Sequence, residues 1–278
     1  MSYNLSRYIT VEVKPEFSPV IMFAAGFTAN DLLFDWTSFK LPQGGNRLVG
    51  ITAIIRSNDG TDQICPMDLF FARQAEDMGD ITNGTAPVSM GTPHADATIN
   101  PANAYWNQII GHSKLTADNF STAGANEGGF SVGTTGYHAS TGATAGLTGQ
   151  SPLIFADYGS DVAINDGGID ADGYYTFYVG ATAIGTPNFD SNLAFASGTG
   201  NDLTCDGTDA RKILAPGDRI KALDISDNTT IIDIGTVGTV PDATSILLKG
   251  TTTSTGTLGD GDLIFNVNPV RLILTFER

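Results

Sequence analysis

Val270-Arg271-Leu272-Ile273-Leu274-Thr275-Phe276-Glu277 puts Val270, Leu272, Leu274 and Phe276 on one side of an extended chain and Arg271, Ile273, Thr275 and Glu277 on the other. A side-chain period of two is that of a half-buried β-strand. The same period recurs far upstream, where Ile9, Val11 and Val13 alternate with Tyr8, Thr10, Glu12 and Lys14 before Pro15 ends the run. Long strands at both ends of a sequence lie within the sheets of sandwiches and jelly rolls and tie the chain ends into the fold. The expected fold is therefore all-β, a jelly-roll-like β-sandwich.

Working inward, Val20 to Phe27 is an apolar run, Leu32 to Leu41 follows, and Arg47 to Arg56 sets Val49, Ile51, Ala53 and Ile55 on one face. Asn58-Asp59-Gly60 then carries a strong turn signal. Residues 66 to 79 fit a helix from Pro66 and Asp68 to Gly79, but Leu69-Phe70-Phe71 also fits a strand, and strand is the preferred reading. Strands are further expected at Ser151 to Phe155 and at Tyr174 to Val179, whose aromatic and β-branched content suits burial on both faces. Residues 80 to 150, rich in Gly, Thr, Ser, Ala and Asn, have one clear apolar anchor at Tyr105 to Ile110 and read as a long loop-rich excursion with room for one short helix. Residues 196 to 265 differ in texture. Short strands recur there at Arg219 to Ser226, Thr229 to Ile234, Ser245 to Leu248 and Asp262 to Phe265, each bounded by Gly, Asp, Asn or Pro. The expected organisation is a main sandwich of residues 1–195 plus 266–278, with a small β module, 196–265, inserted before the final strand.

The 14 Lys and Arg stand against 30 Asp and Glu, a formal charge of −16, so the surface should repel phosphate backbones and anionic lipid headgroups. Neither nucleic acid nor a membrane is an expected partner. Only 16% of residues are charged, which suits a chain packed against neighbours better than a free monomer. The entropy of ordering residues 80 to 150, about 1–2 kcal/mol each, points the same way, since so few apolar anchors cannot offset it without contacts from neighbours. Cys65 and Cys205 are the only cysteines, too few for a disulfide scaffold or a zinc site. Glu12 and Glu16 precede the apolar run at Pro19 to Phe23, and no stretch reaches 18 apolar residues. Synthesis in a cytoplasm, with no leader and no membrane span, is the expectation.

Candidate chemistry is sparse. Gly129-Phe130-Ser131-Val132-Gly133 matches the G-x-S-x-G hydrolase pattern, but no buried strand leads into it and Thr134 to His138 is no helix, so a loop is expected. Asn165, Asp166, Asp170 and Asp172 crowd one glycine-rich turn in the manner of a calcium cage. Gly168 and Val179 stand where an EF-hand loop needs acids, which favours a solvated turn. His94, His112 and His138 share no spacing that aims two imidazoles at one ion and read as surface or interface residues. Tyr174, Tyr175, Phe177 and Tyr178 could form a sugar-stacking platform, although consecutive aromatics on a strand point to alternate faces. No phosphate-cradling glycine motif is present. On these grounds no catalytic, cofactor-binding or metal residue is assigned, no cofactor is expected, and the chain is read as non-enzymatic.

The segment from Pro216-Gly217-Asp218 through Asn228 to Ile231, Ser245 to Leu248 and Gly261 to Phe265 resembles small β units that recur in virion proteins of tailed bacteriophages. The preceding part, with its glycine-rich loops and few charges, is similar in texture to the jelly-roll decoration and cement proteins of phage heads. The resemblance implies a virion protein without catalytic residues, assembled in a host cytoplasm. It further implies a homo-oligomer, in this class often a trimer, that binds a lattice of major coat protein or other virion proteins. The alternative is a tail or fibre component that binds a host-surface glycan, and a more distant one is a glycan-active or esterolytic enzyme, which would need a convergent acid, base or nucleophile set.

Overall fold

The computed structural model describes residues 7–24, 27–56, 64–73, 81–83, 86–88, 97–99, 109–123, 130–136, 153–155, 170–187, 189, 192–250 and 258–278. The chain runs through β1 (Tyr8–Val13), a short helix α1 (Pro19–Ala24), β2 (Leu32–Pro42), β3 (Asn46–Arg56) and β4 (Met67–Ala72). Three short strands follow, β5 (Ile81–Asn83), β6 (Ala86–Val88) and β7 (Ala97–Ile99), then β8 (Ile109–Leu115), β9 (Phe120–Ala123), β10 (Phe130–Gly136), β11 (Ile154–Phe155) and β12 (Tyr174–Ala183). The segment Asn192 to Asn266 contributes β13 (Asn192–Thr199), β14 (Asp202–Gly207), helix α2 (Ala210–Ile213), β15 (Arg219–Leu223), β16 (Ile231–Thr239), β17 (Ser245–Leu248) and β18 (Leu263–Asn266), and β19 (Val270–Glu277) closes the fold.

One sheet has the order β1-β19-β3-β10-β9, with β11 also on β3, and the facing sheet has the order β2-β12-β4-β8. Counting only β1, β2, β3, β4, β8, β10, β12 and β19, the first sheet reads first-eighth-third-sixth and the second reads second-seventh-fourth-fifth. That is the strand order of a jelly roll, two Greek keys folded over one core. The all-β sandwich expected from the alternating strands is what the chain forms.

β19 lies between β1 and β3, and Val270, Leu272, Leu274 and Phe276 are fully buried. Each such side chain contributes about 1.5–3 kcal/mol of burial. Two aromatic groups fill the space between the sheets. Phe39, Phe71, Phe155, Phe177 and Phe276 pack largely edge to face in one, and Phe17, Phe27, Phe34 and Phe189 in the other.

Several expectations change. On β3 the buried apolar residues are Leu48, Ile51, Ala53 and Ile55, and Val49 is not among them. A register shift opposite Thr275 and Phe276 inserts one extra residue into β3, which turns Leu48 inward in place of Val49. Tyr174 to Val179 is buried on one face only. Phe177 and Val179 enter the core while Tyr174 is exposed, because the outer face of this sheet is only partly covered. The apolar run from Val20 begins as helix α1 with Pro19 in its first turn, where a fixed φ and a missing N–H are tolerated. The supposed loop excursion at 80 to 150 carries β5 to β10 among its described residues, and β8 and β10 are members of the two main sheets. Ladder hydrogen bonds pair β8 with β4 and β10 with β3, and Leu115 of β8 is buried in the sandwich core. The Asn58 to Gly60 turn and Tyr105 to Gln108 lie outside the described residues.

Strands β13-β14-β17-β16-β15-β18 close into a barrel. Leu193, Phe195, Leu203, Cys205, Ile220, Ile246 and Ile264 are among the side chains that fill it, a core separate from that of the sandwich. Aspartates shape its turns. Asp209, Asp227 and Asp242 each accept backbone N–H bonds two residues on, from Arg211, Thr229 and Thr244. Leu223, Phe265 and Val267 point out of the barrel into the sandwich core. Phe17 N donates to Val267 O at 2.8 Å and Arg56 N to Pro269 O at 2.8 Å, while Asn268 donates to Pro15 O at 2.9 Å. Buried Asp218 accepts from Ala215 N and from Asn266 Nδ2, and lies 3.6 Å from Arg56 of the sandwich. Burial raises its pKa and the Arg56 charge opposes the rise. Jelly roll and barrel thus share packing, backbone bonds and a buried ion contact.

Candidate functional site

Between Phe34 and Thr37 strand β2 has two residues, Asp35 and Trp36, opposite the single Gly180 of β12. Phe34 and the partner of Thr37, Val179, are buried, so this bulge sets Asp35 and Trp36 together on the outer face of the β2-β12-β4-β8 sheet. The indole lies flat on the backbone of β12. A Cβ at position 180 would stand 3.3 Å from Cε3 and 3.5 Å from both Cδ2 and Cζ3 of Trp36, distances that place it over the ring face. Glycine at 180 is what lets the ring approach so closely.

The register continues the row. Gly180 pairs with Phe70 of β4, and Phe70 pairs with His112 of β8. The Phe70 and His112 rings are nearly parallel, 24° between planes with centroids 6.0 Å apart. His112 Nδ1 lies 2.9 Å from Asp68 Oδ1, and Lys114 Nζ lies 3.5 Å from Asp68 Oδ2. An ionised carboxylate only accepts, so His112 Nδ1 is the donor in this contact. At the other end of the row, Asp35 Oδ1 accepts from Trp36 N at 2.6 Å. Burial pushes the Asp35 carboxyl up to about 6, with the Trp36 N–H pulling against the rise. The face therefore combines three flat rings and two carboxyl groups, all partly exposed, with one exposed ammonium.

The other sequence candidates are placed elsewhere. Ser131 is neither in a loop nor at a strand-to-helix elbow: it sits in β10, opposite Ile55 of β3 and Thr122 of β9. The pairing capacity of a Gly- and Thr-rich segment, hard to read without its neighbours, overrode the loop expectation. Asp170 closes the turn into β12, its Oδ1 accepting from Asp172 N and Tyr174 N while Oδ2 accepts from Lys40 Nζ at 2.7 Å. The Lys40 ammonium and these N–H groups hold the Asp170 carboxyl below the usual range. Asn165, Asp166, His94 and His138 lie outside the described residues. Tyr174 is exposed, Tyr175 packs on the core, Phe177 is buried and Tyr178 faces outward, so the four aromatics divide between faces and form no joint platform. Cys65 and Cys205 are buried in different cores, and burial raises both thiols, Cys205 to about 12. Among the described residues no three His, Cys, Asp or Glu side chains come together as a metal cage. No protein-family model and no curated protein matches the chain.

Trp36 and Phe70 carry no signal in the sequence that marks them as site residues. The polar Asp35 interrupting the apolar stretch Leu32 to Leu41 is the one visible trace of the bulge. His112 is conspicuous in the sequence as one of three histidines, but its partners Asp68 and Phe70 are set by the pairing of β4 with β8.

Proposed function

We propose that the protein is a non-enzymatic structural subunit of a virion, a capsid decoration or cement protein of the tailed-bacteriophage type that oligomerises and binds a coat-protein lattice. The observation that supports it most is the jelly roll with a closed barrel grafted between its last two main strands, since jelly rolls are a recurrent architecture of viral capsid domains. Lectins and cupins share the fold, so the choice among them rests on the surface. The sequence is sparsely charged for its size. Phe23 of α1, Ile225 and Ile231 of the barrel are large apolar side chains left exposed. Ile231 pairs with Leu223, which is buried against the sandwich, so this apolar surface adjoins the seam between the two parts. Such surface suits contact with other subunits.

The test is quantitative mass spectrometry and immunogold labelling of purified particles, with light scattering of the isolated protein. The proposal expects an oligomer in solution and a copy number that scales with coat protein over the head. Copies confined to the tail would transfer the protein to the tail or fibre class, and absence from particles would overturn the reading.

A further inference from the structure

We propose that the outer face of the β2-β12-β4-β8 sheet is a saccharide-binding site for neutral pyranose oligosaccharides, with Trp36 and Phe70 as stacking platforms and Asp35, Asp68 and Lys114 as partners for ring hydroxyls. This function is separate from assembly and requires no lattice. A pyranose presents an apolar C–H face and a rim of hydroxyls, so it needs a flat π surface flanked by strong donors and acceptors. The row supplies both. One indole face rests on Gly180 and the other is turned away from the sheet, so the ring is held flat before any ligand arrives and loses little freedom on binding. Phe70 is backed by its near-parallel contact with His112. β12 alone separates β2 from β4, and the indole lies over Gly180, the residue paired with Phe70, so the two rings adjoin at about one strand spacing, about 5 Å, and offer neighbouring apolar surfaces to one sugar ring.

Charge selects among ligands that stack. Nucleic-acid bases would stack on the same rings. Their phosphates would meet Asp35 and Asp68 on a chain of formal charge −16, with Lys114 already beside Asp68. A neutral sugar escapes that repulsion, while its hydroxyls can donate to both carboxyl groups and accept from the ammonium.

The experiment uses the full chain and three probes: cellohexaose, mannohexaose and chitohexaose. Only two tryptophans are present, so Trp106→Phe leaves Trp36 as the sole indole reporter. At least one probe should change its emission saturably, with a Kd of about 0.1–1 mM. By calorimetry, Trp36→Ala should abolish that binding and Phe70→Ala should weaken it about ten-fold or more. Lys114→Ala, at an exposed position whose ion pair with Asp68 is of the weak surface kind, should also weaken it at a nearly unchanged melting temperature, and Tyr8→Ala on the opposite sheet should not weaken it. The proposal is overturned if the folded protein binds none of the three at about 10 mM, or if binding persists in both Trp36→Ala and Phe70→Ala. Either result leaves the assembly reading as it stands.

Discussion

Phe276→Ala tests whether the sandwich depends on the strand that completes it. Phe276 is fully buried on β19, with its ring 6.0 Å from Phe39 and nearly parallel to it, and 5.2 Å from Phe155 at 88°. Truncating a buried phenylalanine costs about 3–5 kcal/mol through lost transfer energy and the cavity left behind. Two aromatic contacts, each adding about 0.5–1.5 kcal/mol, place this site at the upper end. A loss of about 4 kcal/mol is a large part of a total stability near 5–15 kcal/mol. With a urea m-value of about 2 kcal/mol/M, the midpoint of the transition reported by Trp36 fluorescence in a Trp106→Phe background should fall by about 2 M. The separate barrel core predicts more. As urea rises in the variant, Cys65 of the sandwich should become reactive to a thiol reagent before Cys205 of the barrel. A midpoint shift below about 0.5 M at unchanged m would refute the assignment of Phe276 to the centre of the core.

Three further outcomes are expected. Asp35 has its folded pKa raised to about 6 from 3.8, so the folded state binds the proton more tightly, and its carboxyl destabilises the fold fully above about pH 6 and not at all below its unfolded value. Asp35→Asn, which keeps the acceptor for Trp36 N–H, should thus stabilise at pH 7.5 by about 1–3 kcal/mol and be neutral near pH 3.5, read as the difference between the two unfolding curves. Glu277, a buried carboxylate bridging Arg7 and Arg47, should cost about 1–2 kcal/mol when changed to Gln, with the loss shrinking in high salt because both arginines are exposed. Ile246→Ala should open the barrel by about 2–5 kcal/mol and speed labelling of Cys205 while leaving that of Cys65 unchanged, as followed by mass spectrometry of the modified thiols.

How far the sequence carries depends on whether a segment declares its own partner. β19 and β1 alternate so cleanly that their strand character and inner faces are legible in isolation, and they pair with each other across the whole chain. β17 is bounded by turn residues and matches its expected limits at Ser245 and Leu248. β13 and β14 went unread, because Asn192 to Gly207 alternates small residues with single anchors such as Phe195 and Leu203 that only barrel closure aligns. β10 hid for a related reason: Phe130 to Gly136 has the composition of a loop, and β3 supplies the partner that makes it a strand. The outer-face row was the least legible feature. Trp36, Phe70 and His112 sit on three strands far apart in sequence, and a bulge that Asp35 alone hints at brings Trp36 into line with the other two. His112 alone drew notice because imidazole is chemically conspicuous, whereas a tryptophan or phenylalanine in a strand reads as core.

The position of β19 imposes an order on folding. Among the described residues β1 has no sheet partner other than β19, and β3 meets β19 along nearly its full length. A chain leaving the ribosome would therefore carry β1 and β3 with open edges until more than two hundred further residues had followed, and loop closure on that scale makes their pairing slow. The barrel escapes this delay, since all six of its strands fall within Asn192 to Asn266 and can find one another locally. Once folded it ends at Asn266, a few residues before β19 begins, with Leu223, Phe265 and Val267 already turned toward the waiting sandwich. The inserted barrel would then serve as a folding handle. It delivers the last strand to the slot between β1 and β3, and the two aggregation-prone edges are closed in a single late step.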